Sequence, residues 1–200
     1  LINGLSIMAN PRNRPDPGRG INLYAEICVS WKVTDGFGDG VGGMNMEPEP
    51  TNFHDFERHS QRTRYGLYST ITQGVADTGM RSFNEFSDED RWSLAFYVGQ
   101  LAVKQEQIVA GQALINKGVN SELLNLSVFT VTTPDEAALN YGNDGLALMS
   151  YLRTNPDSLF KKQSHLEFAQ FKLDDTLEAY RMGNFRQSYQ YAVEAYLEGF

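Results

Sequence analysis

The sequence predicts an all-α fold, and three observations support this prediction. Apolar residues recur at spacings of three and four along most of the chain, which is typical of amphipathic helices. No stretch of useful length alternates apolar and polar residues as a half-buried strand would. The 200 residues are 41% apolar and 12% aromatic, which is enough to bury a core. We therefore expect a helical globular protein and not a disordered chain.

The beginning of the chain is expected to hold one short helix between two irregular segments. Residues 10–20 contain three prolines and two glycines, which predicts no regular structure there, and we interpret residues 1–17 as a flexible lead-in. A short helix is predicted from Ile21 to Trp31, where apolar residues have helical spacing. Residues 35–43 follow with five glycines, and we expect them to form a long loop.

Two further helices are predicted before residue 104. Residues from Tyr65 to Thr72 form a candidate helix that ends naturally at Gly74. After a loop, Ser87 begins the clearest helix of this half, because Asp90 stands three positions later as in a capping box. The many apolar side chains of this helix require burial against at least two neighbours.

Glycine becomes rarer after residue 104, and the change suggests one domain at 18–104 followed by a helical domain at 105–200. Thr133 to Glu136 supply a helix cap, a first-turn proline and an acidic third residue. Gly183 and Asn184 predict a tight break, so that the last two helices form an antiparallel hairpin. The predicted helices of this half span residues 105–117, 121–128, 134–141, 144–153, 164–182 and 185–198.

Charge and composition exclude several functions. Seventeen basic residues against twenty-five acidic ones give a net charge of −8, which disfavours nucleic acid and anionic membrane surfaces as partners. The single cysteine, Cys28, excludes an internal disulfide and a multi-cysteine zinc site. His54 and His59 lie in a charged stretch that we interpret as a solvated loop. No phosphate loop or nucleophile elbow is present, so we expect no enzyme, although an electron carrier remains open.

The order of features in the first half resembles a class I cytochrome c domain. A short helix carries Cys28, a glycine-rich loop follows, and the segment VADTGMRSF contains Met80 ahead of an aromatic helix. The resemblance implies that Cys28 belongs to a haem attachment segment and that Met80 is an axial haem ligand. It also implies that the last helix of this domain packs across the first.

The attachment segment departs from the family pattern at two positions. The family has a second cysteine and a histidine where this chain has Trp31 and Lys32. A lysine ammonium must lose its proton before it can bind iron, so Lys32 is a poor substitute for histidine. Two interpretations stay open. Haem c is held through one thioether at Cys28 with Met80 as ligand, or the domain is a haem-free scaffold for protein interaction whose pocket is filled with side chains.

A wider series of motifs resembles the extracytoplasmic region of bacterial high-affinity iron permeases. The resemblance covers nearly all of residues 18–200 and rests on the order of its motifs. It implies a periplasmic, membrane-tethered region that interacts with iron ions and with an unidentified redox partner. It also implies a membrane permease domain in the same longer protein. The transmembrane helices of that permease domain are absent from these residues. The motifs are TNFHD, GLYSTITQGVADTGM, FSDEDRWSLAFYV, TTPDEAALNYGNDGLALMSYLRTNP and AVEAYLEGF.

The last predicted helix offers a candidate iron site. Glu194 and Glu198 stand four residues apart and therefore share one helix face. Carboxylate oxygens suit a hard cation such as iron. Acidic residues on the partner helix would add ligands if the two faces align, and these are Asp174, Asp175 and Glu178. The alternative is a solvated acidic face.

Overall fold

The computed structural model describes residues 9–29, 36–38, 40, 51–160 and 165–199, without the side chains of residues 165–168, 171, 198 and 199. The regular secondary structure of the described residues is entirely helical and includes no strand, which confirms the all-α prediction. Two short 3₁₀ turns, Glu122–Leu124 and Pro156–Leu159, accompany the α-helices. The α-helices are α1 (Pro17–Ile27), α2 (Phe56–Ser60), α3 (Arg64–Gln73), α4 (Asp88–Val98), α5 (Gln105–Asn116), α6 (Leu126–Val131), α7 (Pro134–Thr154), α8 (His165–Arg181) and α9 (Phe185–Gly199).

The chain divides into two compact units, Leu1–Leu159 and Phe160–Phe200. Helices α5 to α7 therefore belong to the same unit as α1 to α4. The change in composition instead suggests a domain boundary between residues 104 and 105. The compact units do not coincide with that boundary, which stays a prediction.

Helix α1 begins and ends four residues earlier than the sequence predicts. The Asp16 carboxylate accepts hydrogen bonds from the backbone N–H groups of Gly18 and Arg19, at 2.8 and 3.1 Å. Pro17 occupies the first helical position, where its missing N–H costs nothing. The prediction that residues 10–20 lack regular structure is thus wrong from Pro17 onward, because the cap outweighs the proline content.

The irregular residues before α1 are held by contacts that their composition does not reveal. Pro11 and Pro15 are buried. The Asn10 side chain donates to Ser127 Oγ at 2.8 Å and accepts from Thr130 Oγ1 at 2.5 Å. The described part of the expected flexible lead-in is therefore packed against other residues of the first unit, including those of α6.

Helices α1 and α4 cross in close contact, as the cytochrome resemblance implies. A Cβ atom on Gly20 would lie 2.5 Å from the backbone oxygen of Ser93, so only glycine permits this approach. Beside this crossing, the rings of Tyr24 and Tyr97 pack edge to face at 5.2 Å. The crossing fixes the position of the C-terminal end of α1.

Several predicted helix boundaries in the first unit are confirmed. Gly74 ends α3, and Ser87 caps α4 by accepting from the backbone N–H of Asp90. Thr133 and Glu136 form a capping box at the start of α7. Gly142 has φ of +64° and breaks α7 into the two helices that the sequence predicts.

The predicted helix at 121–128 is wrong in its bounds. A 3₁₀ turn covers Glu122–Leu124, and α6 begins only at Leu126. The cause is Asn125, whose side chain accepts from the backbone N–H of Ser127 and starts a new helix.

The second unit is the antiparallel hairpin that the sequence predicts. Gly183, with φ of +77°, separates α8 from α9. Ser188 Oγ donates to the Thr176 carbonyl oxygen at 2.9 Å, and Lys172 pairs with Glu194 farther along, so the two helices run in opposite directions. Across the described stretches of both units, none of the helices has the length and apolar character that a bilayer crossing requires.

Candidate functional site

The first unit contains a cavity of about 770 Å³. This volume lies within the range of small-molecule and cofactor pockets, roughly 300–1,000 Å³. The walls come from the end of α1, the segment around α2, helix α3, the loop after α3, and helix α4. Much of the lining is apolar and includes Ile27, Phe53, Leu67, Ile71, Leu94 and Val98.

The structure brings Cys28 and Met80 to this same cavity. Cys28 is the C-cap of α1, where its backbone N–H donates to the Tyr24 carbonyl oxygen at 2.9 Å, and its side chain is half-buried. Met80 lies in the loop between α3 and α4 and is 36% exposed. These are the two residues that the cytochrome resemblance selects from opposite parts of the first half.

Hydrogen bonds within the loop fix the backbone at Met80. Thr78 Oγ1 donates to the Val75 carbonyl oxygen at 2.8 Å and accepts from the Met80 N–H at 3.1 Å. The Val75 N–H donates to the Met80 carbonyl oxygen at 2.9 Å. The loop therefore closes on itself and presents Met80 at the cavity.

Gly74 allows this loop to fold back against the end of α3. Its φ is +71°, and a Cβ atom there would lie 2.6 Å from both the Met80 oxygen and the Ser82 nitrogen. Ser82 Oγ donates to the Thr72 carbonyl oxygen at 2.7 Å and fastens the loop to the helix. A side chain at position 74 would displace the Met80 backbone.

His59 also lines the cavity, which the sequence reasoning missed. Its Nε2 lies 2.8 Å from Arg153 Nη1. A guanidinium only donates, so Nε2 accepts and the ring hydrogen is on Nδ1. Burial, with the charges of Arg153 and Arg64, lowers the pKa of His59 to about 2, so the ring is neutral.

His54 and His59 lie in different surroundings in the structure. The ring of His54 stacks on Phe37 at 4.5 Å, whereas His59 belongs to α2. A signal for α2 was present in the sequence, because Asp55 caps the helix by accepting from the Arg58 N–H at 3.2 Å. That cap places His59 one turn later on a helix and not in a solvated loop.

Charged residues complete the cavity lining. Arg58, Arg62 and Arg81 contribute to its walls, as do Glu26 and Asp55. Arg81 is engaged by the carboxylate of Glu85. An apolar interior with charged residues in the wall suits a ligand that has a large apolar body and polar groups at its edge.

The residues fit a haem in size, polarity and one ligand. A methionine thioether is an axial ligand of haem iron in cytochromes c. Met80 lines this cavity, and so does Cys28, the residue that would attach a haem. The second axial ligand is not identified among the described residues, because the Nε2 lone pair of His59 accepts from Arg153. Trp31 and Lys32, which replace the family's cysteine and histidine, lie outside the described residues.

The candidate iron site is described only in part. Glu194 Oε2 lies 2.6 Å from Lys172 Nζ, so an ammonium already partners this carboxylate. Lys172 Nζ also lies 5.0 Å from the centre of the Tyr191 ring. The side chain of Glu198 lies outside the described residues. Within the described part of the chain, no cluster of three or more histidine, cysteine or acidic side chains is arranged to hold a metal ion.

No family model matches the chain, and no curated protein matches its sequence. Among solved structures, the chain is similar to a chain of the reducing HAO-like protein complex of Kuenenia stuttgartiensis, at 16% identity. The superposition covers 76% of this chain and 99% of that chain with a TM-score of 0.39. A similarity at this level identifies neither a fold family nor a function.

Proposed function

We propose that residues 18–104, within the first unit, are a cytochrome c-like electron-transfer module and that the chain is the extracytoplasmic region of an iron permease. The single observation that supports the module most directly is the convergence of Cys28 and Met80 on one largely apolar cavity. The resemblance to class I cytochromes c points to both residues, and both line the same cavity.

The residues of the cavity have distinct roles in this proposal. Cys28 would hold the haem through the one thioether bond that a single cysteine permits, and Met80, in its hydrogen-bonded loop, would hold the haem iron. Apolar side chains such as Leu94 and Val98 exclude water from the site. When bound, haem would supply one-electron chemistry, whose potential is set by the ligands and by the burial of the site.

The helical hairpin would handle iron ions for a permease domain in the same longer protein. Two features support this part of the proposal: the order of the sequence motifs, and the spacing of Glu194 and Glu198 on α9. Lys172 competes for the Glu194 carboxylate and would have to move aside when a cation binds.

A haem-free scaffold for protein interaction is the second candidate. The observation that favours it is the hydrogen bond between Arg153 and His59 Nε2, because it occupies the ring nitrogen with which this cavity-lining histidine would bind iron. In this case the first unit would bind another protein, and its cavity would hold no haem.

Haem binding is tested by producing the full chain with a haem-maturation system and recording its Soret and pyridine-haemochrome spectra. We expect covalent haem in the unchanged chain, loss of the covalent bond in Cys28→Ser, and an altered iron spectrum in Met80→Ala. Met182→Ala is the matched control, because Met182 is 69% exposed and lies in the hairpin.

A double variant supplies the positive reference. Trp31→Cys with Lys32→His restores the attachment pattern and should take up haem with two thioether bonds, which the haemochrome spectrum distinguishes from one. Haem in this double variant but none in the unchanged chain would leave the scaffold as the function. Equal spectra for Met80→Ala and the unchanged chain would remove Met80 as a ligand.

Iron handling is tested by calorimetric titration of iron into the full chain. Glu194→Ala and Glu198→Ala should each weaken binding, and Lys172→Ala should strengthen it because Glu194 loses its competing partner. Glu106→Ala, in the first turn of α5, is the control. Equal binding by all four variants and the unchanged chain would refute an iron site on α9.

A further inference from the structure

Six exposed apolar side chains of the second unit lie on one side of its two helices. They are 48% to 73% exposed. Along each helix they recur at intervals of three, four or seven residues, which is the spacing of a single helix face. We call this surface the hairpin face, and its members are Leu173, Leu177 and Tyr180 on α8 with Phe185, Tyr189 and Tyr196 on α9. The rings of Tyr180 and Phe185 touch across the turn with their centres 5.4 Å apart, so the rows on the two helices are continuous.

Antiparallel packing brings both rows to the same side of the hairpin. Thr176 and Ser188 mark the contact between the helices, because Ser188 Oγ donates to the Thr176 carbonyl oxygen. Leu177 directly follows Thr176 in the sequence, and Tyr189 directly follows Ser188. One residue rotates a helix by about 100°. Since the helices run in opposite directions, the two rotations carry both side chains to one side.

The buried side chains of α8 and α9 are all small, among those that the structure describes. Ala169, Ala179, Ser188 and Ala195 are at most 7% exposed, and the other described side chains of the two helices are only partly covered or exposed. Small side chains remove little apolar surface from water. A unit of about 40 residues usually needs a covalent or metal staple, or oligomerisation, to be stable. The apolar surface that could supply further stability lies on the hairpin face.

The hairpin face has the area that one partner contributes to a stable dimer. An aromatic side chain buries roughly 150–250 Å² when it is fully covered. At their observed exposures, the four aromatic and two leucine side chains of the face offer on the order of 700–800 Å². One partner in a protein interface of standard size contributes about 800 Å². Apolar patches of this size are rare on monomeric proteins.

The charge distribution favours a protein partner over a lipid surface. Asp175 on α8 and Glu194 on α9 each stand two residues from a member of the hairpin face, which places them on the far side of their helices. A helix that lies on a lipid surface typically carries Lys and Arg on its polar side, whereas acidic residues stand there in this hairpin. Because the hairpin face contains no charged residue, it can meet an identical face without bringing like charges together.

We infer that the hairpin face of one chain packs against the hairpin face of a second copy, so that four helices form a bundle. The spacing of the exposed residues is the one through which the helices of four-helix bundles pack. The same surface serves on both copies, as in a two-fold symmetric dimer. The inference needs neither haem nor iron and therefore goes beyond the proposed function. Glu194 stays on the outer side of such a bundle.

Sedimentation equilibrium of the full chain, without added iron, measures this association. We expect a mass of twice 22.5 kDa, with a dissociation constant in the micromolar range or tighter. Leu177→Glu combined with Tyr189→Glu places two charges per chain in the contact and should raise this constant at least about hundredfold. Gln187→Glu combined with Gln190→Glu is the matched control. It adds the same two charges at exposed positions outside the hairpin face and should leave the dimer intact.

Circular dichroism verifies that the helices form in each variant. Tyr189→Glu alone changes a side chain that is 72% exposed, so it should fold even if the double variant does not, and it should also weaken the dimer. A monomeric unchanged chain throughout the micromolar range would overturn the inference, and this result is expected if another part of the same chain or a lipid surface covers the face. A dimer that persists undiminished in the double variant would overturn it as well, because another surface then joins the copies. Neither result bears on the proposed haem and iron sites.

Discussion

The close crossing of α1 and α4 makes Gly20→Ala a sharp test of the fold that positions Cys28. The added Cβ atom would lie 2.5 Å from the Ser93 oxygen and 3.0 Å from the Tyr97 Cβ atom. Ser93 contributes a backbone atom in the middle of α4, so it cannot rotate away as the end of a side chain would. The two helices must therefore separate at their contact.

The magnitude follows from two opposing effects. Overpacking at a tight contact typically costs about 1–3 kcal/mol. Replacing glycine by alanine within a helix recovers about 0.5–1 kcal/mol of conformational free energy. We expect Gly20→Ala to lower the free energy of unfolding by about 1–2 kcal/mol, since the steric effect is the larger.

Urea unfolding followed by fluorescence measures this change, because the buried Trp92 lies in α4. Gly18→Ala is the matched control in the same helix. Its new Cβ atom meets only the Asp16 Oδ1 atom at 3.3 Å, so the variant should be as stable as the unchanged chain or more so. Stability of Gly20→Ala equal to or above that of Gly18→Ala would refute the close crossing.

Two further predictions follow from the loop at Met80 and from the surface of α4. Gly74→Ala should cost about 1–2 kcal/mol through its left-handed backbone alone, and it should lower haem retention, measured by the Soret band, because it displaces the Met80 backbone. The Arg19 guanidinium, through its hydrogen bonds at 2.7 and 2.8 Å, holds the pKa of Asp90 below its usual range. The pair therefore stabilises the fold above about pH 4, the ordinary pKa of aspartate, and this contribution is lost as pH falls through the lowered pKa. Urea midpoints of Asp90→Asn should lie below those of the unchanged chain at pH 7 and converge with them in acid; a constant difference down to pH 2 would contradict this reasoning.

The sequence predicted the helices well where local signals agree. Ser87, Thr133 and Gly183 each act within a few residues, and the structure confirms the helix boundaries that they indicate. The proline content of residues 10–20 predicts a later start for α1 than the one that the Asp16 cap produces at Pro17. Local chemistry decides where a helix begins, and composition over ten residues is a weaker guide.

The cavity could be predicted only in part. The order of motifs resembles that of class I cytochromes c and therefore points to Cys28 and Met80, because each stands beside a recognisable turn or loop. His59, Arg64 and Arg153 carry no such signal, because their importance arises from burial and from contacts between residues about 90 positions apart. Arginine burial in particular runs against the usual surface preference of this residue, so no composition argument would find it.

The bonds of Asn10 to Ser127 and Thr130 have a consequence for how the chain folds. They join residues 117 and 120 positions apart, so they close one of the largest loops available in the first unit. Closing so long a loop costs conformational entropy before the contact is gained. Contacts between residues far apart in sequence therefore slow folding. The segment before α1 must therefore wait for α6 to form before it can dock. The hairpin of α8 and α9, whose partners are near in sequence, would close much faster once it is made.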